Sequence, residues 1–581
     1  MPTKSANNAP ANAANQHHFL GLELSPEQLR AVVVDEHLDV LVAEQVDFDL
    51  DLPEYQTHGG VFTTPGGDAH TSPVDMWIKA LDLLLQKLRT RTDLSKILAI
   101  SGSAHPSTIL FTPAASAALA SLTPHQPLHA LLGSSSTLAL LHTPSPHDAS
   151  TAPHANAIEA ALGGPDAMAT RVGTPAHAAL PAAQLMKIRE GAPEAWSRAG
   201  RVLLASTALA SIFLGAWASV GEAEAAGTGM WDAAKGAWDR EVLDAVAGGS
   251  APGKKLSEML GSVESDGGKS LGNIARYFVE RFGFDKDTTI HPFTSSHLAT
   301  YLSLVPTSSD ALLAFGATDM LLCAAPDPPR ASRIHALLPH PAQDPSEPKR
   351  WIAMLSSRNA DVPRALVRDM YTKSWSAFDR LVAIVPPGGS IGLDDKLFSF
   401  WVLQGESYPF SHPHTSKGIF RFENGIKVNE FRDLRANPRC LLESQLLSFR
   451  LRFGRMAGAA YPARPNAAQS HSHHALNSQA AGTPINTHNG HAYNGFKTGP
   501  AAPNEPPFNP YSSTHLPRRI FATGTAAHFP SVVNLLGDIF DAPVFVPSTV
   551  LEAASIAPGV ASPPGAANIP SRAALGGAYL A

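Results

Sequence analysis

The sequence predicts an α/β protein with two domains. Its 581 residues exceed the length that one hydrophobic core usually serves. Residues 19–46 contain apolar, strand-like runs separated by short turns, whereas residues 74–88 carry apolar side chains at helical spacing. Two further apolar runs, at 311–315 and 320–323, are joined by a tight turn. Strands and helices therefore share the chain, which is typical of the α/β class.

The first ordered part of the chain is predicted to be a three-stranded meander. Two apolar strands within residues 19–35 flank a turn that begins at Ser25, and a third strand follows at 40–46. Glu23 is an acidic residue just before that turn, and an edge hairpin with a solvated carboxylate is an equally simple interpretation. After the helix, a short buried strand is predicted at 97–100. Meander, helix and strand, in that order, are typical of the start of an actin-like nucleotide-binding half.

The turn Gly316-Ala317-Thr318-Asp319 is a candidate phosphate cradle. Glycine lets the backbone approach a ligand, its N–H group is expected to face outward, and the threonine hydroxyl adds another donor. Most turns of this composition are ordinary hairpins, so the pattern alone leaves both interpretations open.

Charge and cysteine usage exclude several classes of protein. The net charge of −6 and the isoelectric point near 6.5 argue against a nucleic-acid binder, which would need a basic face. Two cysteines, Cys323 and Cys440, cannot form a disulfide framework and fit a reducing compartment. Residues 1–18 resemble a polar disordered leader without an apolar signal segment, and no run of apolar residues is long enough to span a membrane. We expect a cytoplasmic protein.

Two low-complexity inserts interrupt the second half of the chain. Residues 461–516 are rich in Ala, Pro, Asn, Ser and His and are predicted to be a disordered insert. Histidines in the segment 471–474 could ligate a transition metal, although clustered His in a polar tract usually does not. A second insert at 551–570 precedes a final helix at 571–581, whose glycines we expect to pack on the sheet of the nucleotide domain.

Several stretches of the chain resemble one family almost word for word, in the same order. They are LGLELSPEQLRAVVVDE, DMWIKALDLLLQKL, IEAALGGPDAM, STALASIFLGAW, YFVERFGF, SWSAFDRLVAIVPPGG, GIFRFENG, PRRIFATGTAA and AALGGAYLA. By these words the chain resembles fungal xylulokinases, within the FGGY group of carbohydrate kinases. The resemblance implies two ribonuclease-H-like domains of the actin/hexokinase type flanking a cleft. It implies a sugar-binding domain at 19–290 and a nucleotide-binding domain at 291–581, the latter carrying the insert.

The resemblance also implies a reaction. The 5-hydroxyl of D-xylulose would attack the γ-phosphoryl group of ATP bound with Mg²⁺, giving ADP and D-xylulose 5-phosphate. Such a transfer depends on positioning and electrostatics, with a base for the hydroxyl and donors around the phosphate. The implied partners are a small sugar and ATP, with no nucleic acid and no membrane.

The sugar side and the metal position depart from the family pattern. Glu23 stands where the family has its metal-side aspartate, and Pro26-Glu27 replaces Thr-Gln in the loop that follows. His105 is the residue that would stand in for the sugar-side glutamines. Gly133 occupies the position of an aspartate that holds sugar hydroxyls. A segment at 225–231 also aligns with a family motif without its acid.

The base position departs as well, whereas the phosphate turn is better kept. Ser296 stands where the family has its catalytic aspartate, and a serine hydroxyl cannot accept the substrate proton unaided; losing a positioned base typically lowers a rate by roughly 10²–10⁴-fold. His297 is a possible surrogate base, or else it lines the cleft or caps the helix; Asp310 and His105 are further possible replacements. The resemblance assigns nucleotide phosphates and adenosine to two short segments: Gly316, Ala317 and Thr318, then Gly524, Thr525 and Ala526.

Three functions therefore remain open from the sequence. The chain is an active xylulokinase with altered residues, a catalytically impaired relative that still binds sugar or nucleotide, or a scaffold that uses its insert for protein contacts. ATP-dependent turnover, ligand-induced stabilisation and deletion of the insert distinguish the three.

Overall fold

The computed structural model describes residues 17–389, 396–406, 417–457, 515–547 and 570–581. The predicted leader, both predicted inserts and the histidine cluster at 471–474 lie outside these ranges, apart from a few residues at their ends. His18, assigned to the leader from sequence, is the first residue of a strand.

The first half of the chain holds sixteen of the described strands. They are β1 (His18–Leu24), β2 (Gln28–Asp35), β3 (Val40–Asp47), β4 (Phe62–Thr63), β5 (His70–Pro73), β6 (Ile97–Ala104), β7 (Thr108–Phe111), β8 (His142–Pro144), β9 (Arg201–Leu204), β10 (Val220–Gly221), β11 (Trp231–Asp232), β12 (Ala237–Trp238), β13 (Val263–Glu264), β14 (Gly272–Asn273), β15 (Thr289–Ile290) and β16 (Thr294–Ser295). The second half holds β17 (Asp310–Phe315), β18 (Asp319–Ala324), β19 (Ala336–Pro339), β20 (Trp351–Ser357), β21 (Leu397–Val402), β22 (Gly418–Glu423), β23 (Ile426–Val428), β24 (Arg519–Gly524) and β25 (Val544–Phe545).

The described α-helices are spread over both halves. They are α1 (Phe48–Asp51), α2 (Val74–Arg89), α3 (Ala115–Ala120), α4 (Leu128–Leu132), α5 (Ala152–Ala161), α6 (Pro165–Val172), α7 (Pro181–Gly191), α8 (Pro193–Arg198), α9 (Ala205–Leu214), α10 (Glu222–Gly227), α11 (Arg240–Ala247), α12 (Ser250–Leu260), α13 (Arg276–Phe282), α14 (Ser296–Leu302), α15 (Asp361–Val367), α16 (Trp375–Ile384), α17 (Asn437–Ala457), α18 (Pro530–Phe540) and α19 (Arg572–Leu580). Of these, none is long and apolar enough to cross a bilayer.

Two sheets with the same central topology organise the molecule. In the first sheet the strand order is β14-β15-β6-β1-β2-β3; β1, β2 and β3 form an antiparallel meander, and β6 pairs parallel with β1. In the second sheet the order is β19-β20-β18-β17-β24-β25; β17, β18 and β20 are antiparallel, and β24 pairs parallel with β17. The repeated arrangement confirms the predicted fold class of two actin/hexokinase-type domains.

Most predicted elements of the first domain are confirmed, with one difference in length. The meander and the helix α2 lie where the apolar patterns placed them. The strand predicted at 97–100 continues to Ala104, since Ser101 and Ser103 are buried and bond to backbone carbonyls. Small residues that keep their hydroxyls satisfied extend a buried strand without penalty.

The last helix packs on the first sheet, so its predicted packing on the nucleotide-domain sheet was wrong. Helix α19 lies across β1, β2 and β6 and against α14. Its Ala574, Leu575 and Ala578 pack with Val32 and Val34. A methyl group on Gly576 would overlap the carbonyl oxygen of Ala299, so only glycine permits this close approach. The chain therefore returns at its end to the domain in which it began.

The two halves also bond to each other directly. The Leu337 amide donates to the Gly173 carbonyl over 2.7 Å. Lys349 forms an ion pair of 2.6 Å with Glu222 on α10. These bonds join the edge strand β19 and the segment before β20 to the first half of the chain. The division at residues 290 and 291 remains a prediction.

Candidate active site

The candidate site residues lie at the ends of strands in the two sheets, and we call the region between these strand ends the cleft. On the first sheet, Leu24 at the end of β1 and Ser295 at the end of β16 both pair with Ala104. On the second sheet, Phe315 pairs with Gly524. These strand ends carry the turns and helix starts to which the resemblance assigns sugar, base and phosphate contacts. The site residues therefore gather where parallel strands end, as ligands of open α/β sheets usually do.

Glu23 lies in a buried network within the meander. It sits opposite Arg30 in the β1–β2 register, and its Oε2 accepts from Arg30 Nη1 at 3.2 Å. The hydroxyl of Ser571, at the start of α19, donates to the same oxygen. Arg30 also donates to Gln28 Oε1 at 2.9 Å. Glu23 thus ties the last helix to the first hairpin.

Glu27 brings a second carboxyl group to the same turn. Burial raises the pKa of Glu27 to about 7, and the nearby positive charge of Arg30 opposes that rise. Near neutral pH the group therefore exists in both protonation states. An ionised Glu27 would repel phosphate at the loop that the family uses for it.

His105 and Gly133 lie in well-packed surroundings. His105 is buried edge-on against Trp77, with ring centroids 5.1 Å apart. Neither ring nitrogen of His105 has a hydrogen-bond partner among the described residues, and burial lowers its pKa to about 3. A Cβ at Gly133 would crowd the His129 carbonyl oxygen and Asp75, which explains locally why an acid does not fit there. The sugar-binding roles of both residues remain predictions.

Ser296 is the first residue of α14 and has no base beside it. Its Oγ is buried and has no hydrogen-bond partner within the described ranges. His297 Nε2 lies 3.1 Å from the hydroxyl of Ser295 instead. Burial lowers the pKa of His297 to about 4, so its imidazole is neutral at pH 7. The His297 ring therefore bonds to Ser295 and not to Ser296. A neutral imidazole still has one nitrogen lone pair that can accept a proton.

Asp310 cannot replace the missing base, because it lies at the other end of β17 from the phosphate turn. Phe315 is five positions further along the strand, which corresponds to roughly 16 Å. Its carboxylate is fully buried and accepts from Arg519 Nε at 2.9 Å and Nη2 at 2.6 Å. The pair holds β17 and β24 together.

The predicted phosphate turn is supported by a buried ionic network. Arg364 Nη1 and Nη2 bond to the two oxygens of Asp319 at 2.7 and 2.8 Å, and Nη2 also bonds to Asp361 at 2.7 Å. The amide of Gly316 donates to Asp319 at 3.1 Å, so the expectation that this N–H faces outward was wrong. Ala317 and Thr318 are half-buried at the tip. A phosphate would meet the turn through these two residues.

The adenosine-side segment belongs to the same network. Gly524 ends β24, and Thr525–His528 form a short 3-10 helix. Thr525 Oγ1 donates to Asp361 at 2.9 Å, while Ala526 packs into the core of the second domain. The Thr525 side chain is therefore held toward the phosphate turn. Its role toward a nucleotide remains a prediction.

Sequence reasoning missed four side chains near the cleft. Arg358 follows β20, and its Nη2 reaches the His147 carbonyl oxygen of the first half at 3.5 Å. Burial lowers the pKa values of His147 and His177 to about 4, and the charge of Arg358 acts in the same direction. Glu224 is 4% exposed on α10, one residue before the aligned segment 225–231. Glu224 is therefore a carboxyl group close to the position at which the segment 225–231 lacks the family's acid.

Glu224 is a carboxyl group without a described hydrogen-bond partner at Oε2. Burial raises its pKa to about 8, opposed by the nearby Ser206 hydroxyl. It lines a small cavity with Phe293 and Thr294, the latter two residues before Ser296. The proton-carrying form is therefore the main one at neutral pH. A Glu two positions before the expected acid was the sequence signal for it.

The described residues contain no group of three or more His, Cys, Asp or Glu side chains that could hold a metal ion. Both cysteines are free and buried, and burial raises the pKa of each to about 12. Their thiols are therefore inert packing groups.

Known proteins similar to this chain are sugar kinases. The probable D-xylulose kinase A of Aspergillus terreus is 30% identical over 76% of this chain and 78% of its own length. The xylulose kinase of Schizosaccharomyces pombe is 32% identical over 75% of this chain and 78% of its own length. No protein-family profile matches the chain.

Solved structures of bacterial kinases share the fold. The xylulose kinase of Brucella ovis superposes with a TM-score of 0.65 at 15% identity, covering 97% of this chain and 90% of that one. The xylulose kinase of Rhodospirillum rubrum gives a TM-score of 0.62 at 15% identity, covering 91% and 86%. At these identities the structures support the two-domain architecture, and the curated relatives carry the assignment. The chain belongs to the xylulokinase family of FGGY carbohydrate kinases.

Proposed function

We propose that this protein is an ATP-dependent kinase that phosphorylates the 5-hydroxyl of D-xylulose. The observation that carries the proposal is the 30–32% identity to D-xylulose kinases over three quarters of the chain. The geometry supports it, because the base position follows a strand of the first sheet and the candidate phosphate turn follows the corresponding part of the second sheet, β17. We assign the sugar to the domain predicted at residues 19–290 and ATP to the domain predicted at residues 291–581, whose last helix packs on the first sheet, in a cytoplasmic protein.

Turnover is expected to be slow. Ser296 offers a hydroxyl where the hydroxyl of the sugar needs a proton acceptor, and His297 is bonded to Ser295. Without a positioned base the proton must leave to water, which lowers the rate by roughly 10²–10⁴-fold. Positioning of ATP and sugar would still supply part of the acceleration.

A divalent metal at Glu23 does not fit the residues present. Mg²⁺ bound to a nucleotide is usually held by one or two carboxylates, phosphates and water. Glu23 Oε2 is already bonded to Arg30 and Ser571. Glu23 therefore serves the structure, and we assign it no metal.

A second candidate is a sugar- or nucleotide-binding protein that transfers phosphate too slowly to matter. The isolated hydroxyl of Ser296 favours it. A scaffold role is the third candidate. Its predicted contact segment, 461–516, falls almost entirely outside the described residues.

Ligand binding and product formation separate these candidates. An active kinase forms D-xylulose 5-phosphate from ATP and D-xylulose, detected by mass spectrometry. An impaired relative shows a raised melting temperature with ATP or a pentulose and no product. If neither ligand changes the melting temperature and no product forms, both kinase-type proposals fail, and deletion of residues 461–516 then tests the scaffold role by loss of a bound partner.

A further inference from the structure

Arg358 lies beside the candidate phosphate turn. Ser357, the last residue of β20, pairs with Asp319, which closes the turn after Thr318. Arg358 is the next residue and begins the connection to α15, whose Arg364 supports the same turn. The backbone of Arg358 is therefore placed by the elements that hold the turn.

The side chain of Arg358 crosses to the first half of the chain. Its Nη2 bonds to the carbonyl oxygen of His147 at 3.5 Å. Its charge also acts on His177, which in turn lies close enough to His297 for their charges to interact. His297 directly follows Ser296. The guanidinium thus links the end of β20 to the first half of the chain, and its charge acts on a histidine near the base position.

The positive charge of Arg358 lacks a direct ionic partner in the described structure. Its Nη1 is buried without a hydrogen-bond acceptor among the described residues. The two carboxylates whose charges act on the guanidinium already have other bonds: Asp148 pairs with Lys187 at 2.6 Å, and Glu406 accepts from the backbone amides of Arg358 and Asn359. A buried donor without an acceptor is unfavourable, and a bound anion would satisfy it.

We propose that Arg358 binds the phosphoryl group as it passes from ATP to the sugar. The inference rests on the proposed kinase function. In the transfer, the sugar oxygen forms a bond to the γ-phosphorus, the bond to the bridging oxygen breaks with its electron pair leaving on ADP, and the hydroxyl proton goes to water. Arg358 donates hydrogen bonds to the oxygens of the transferring group, where charge is spread in the transition state.

Nucleotide binding tests this role without requiring turnover. We would measure the melting temperature with ADP and then with ADP plus aluminium fluoride, which mimics the transferring phosphoryl group. The wild type is expected to gain additional stabilisation from aluminium fluoride. Arg358→Gln should keep the ADP shift and lose the additional one, while Arg358→Lys, which keeps the charge, should retain about half of it.

Arg350→Gln is the matched control, because Arg350 precedes β20 at its opposite end and bonds to the Ala342 carbonyl. It should respond like the wild type. Where turnover is measurable, Arg358→Gln should lower the rate of ADP release by about 10³-fold, comparable to the loss of an arginine finger.

The failures are distinguishable. An additional shift that persists in Arg358→Gln overturns the inference, as does a wild type that responds to ADP but not to aluminium fluoride. A wild type that responds to no nucleotide overturns the proposed kinase function and the inference with it. The melting temperatures of the three variants without ligand show whether each is folded. If Arg358→Gln is unfolded, the response of Arg358→Lys to aluminium fluoride tests the inference instead.

Discussion

Ser296 and His297 occupy the position at which the proposed reaction needs a proton acceptor. The serine begins α14 with a buried, unpaired hydroxyl, and the histidine is neutral and bonded to Ser295. Neither is placed to accept a proton from a sugar hydroxyl. The position itself is well suited to a carboxylate, because the first turn of a helix stabilises negative charge.

Restoring the carboxylate should therefore increase activity. Ser296→Asp is expected to raise D-xylulose-dependent ADP release by about 10²-fold, since a positioned base typically contributes that much or more. Ser308→Asp, at an exposed serine, adds the same charge away from the cleft and should leave the rate unchanged. Equal rates for Ser296→Asp and the wild type would show that the missing base does not limit this protein.

Glu224 should make the protein less stable as the pH rises. Its pKa is raised from 4.5 to about 8 by burial, so between these values the folded state binds more protons than the unfolded state. The free energy of unfolding then falls as the pH rises through this window. Glu224→Gln, which mimics the protonated form, should lose this dependence and be more stable than the wild type at pH 8.5 by an amount on the order of a few kcal/mol.

Urea unfolding of both proteins at pH 5.5 and 8.5 measures the difference. Glu264→Gln offers a control, since Glu264 lines the same cavity but is paired with Lys269. A pH dependence that is the same in the wild type and in Glu224→Gln would contradict the assigned protonation.

The sequence predicted where several site residues lie better than it predicted which groups surround them. The apolar pattern placed Gly316 and Gly524 correctly at strand ends, whereas the short strand before Ser296 was predicted to be a loop. The burial of Glu224 and the reach of Arg358 across the cleft depend on packing between segments more than 100 residues apart. No local pattern encodes such contacts.

At the scale of elements, the same reason explains the misplaced last helix. Its length and start were predictable, since Ser571 caps it by accepting from the Ala574 amide at 3.2 Å. Its packing against β1 was not predictable, because β1 lies at the other end of the chain. The hydrogen bond from Ser571 to Glu23 also connects this helix to β1, just before the turn that begins at Ser25.

Gly576→Ala should loosen that docking. The added methyl group would overlap the Ala299 carbonyl on α14, and overpacking of this kind destabilises by about 1–3 kcal/mol or more. Gly191→Ala, at the end of α7 with open space around its Cα, is the control and should be neutral or slightly stabilising. Thermal unfolding of both variants measures the effect; equal melting temperatures would mean that α19 does not pack as described.

At the scale of the whole molecule, buried histidines set the response to acid. Burial lowers the pKa values of six of them to between about 3 and about 4: His105, His147, His177, His297, His335 and His340. Four of the six lie around the cleft. In the folded protein these rings stay neutral at a pH at which free histidine is charged.

The protein should therefore lose stability on acidification. Between pH 6.5 and 4 the unfolded state binds more protons at these histidines than the folded state does, so the free energy of unfolding falls as the pH falls. Five carboxyl groups with raised pKa values act in the opposite direction but are fewer than the histidines: Glu27, Asp82, Glu159, Glu224 and Asp319. Urea unfolding at pH 7 and pH 5 should give a lower midpoint at pH 5, and an unchanged or higher midpoint would contradict the neutral histidines.

We propose that this two-domain member of the xylulokinase family transfers phosphate from ATP to D-xylulose slowly, because its base is missing. Coupled ADP release, measured with and without D-xylulose for the wild type and Ser296→Asp, tests it most directly. We expect a low, sugar-dependent rate in the wild type and a rate about 10²-fold higher in the variant. No sugar-dependent ADP release from either protein, with both folded, would contradict it.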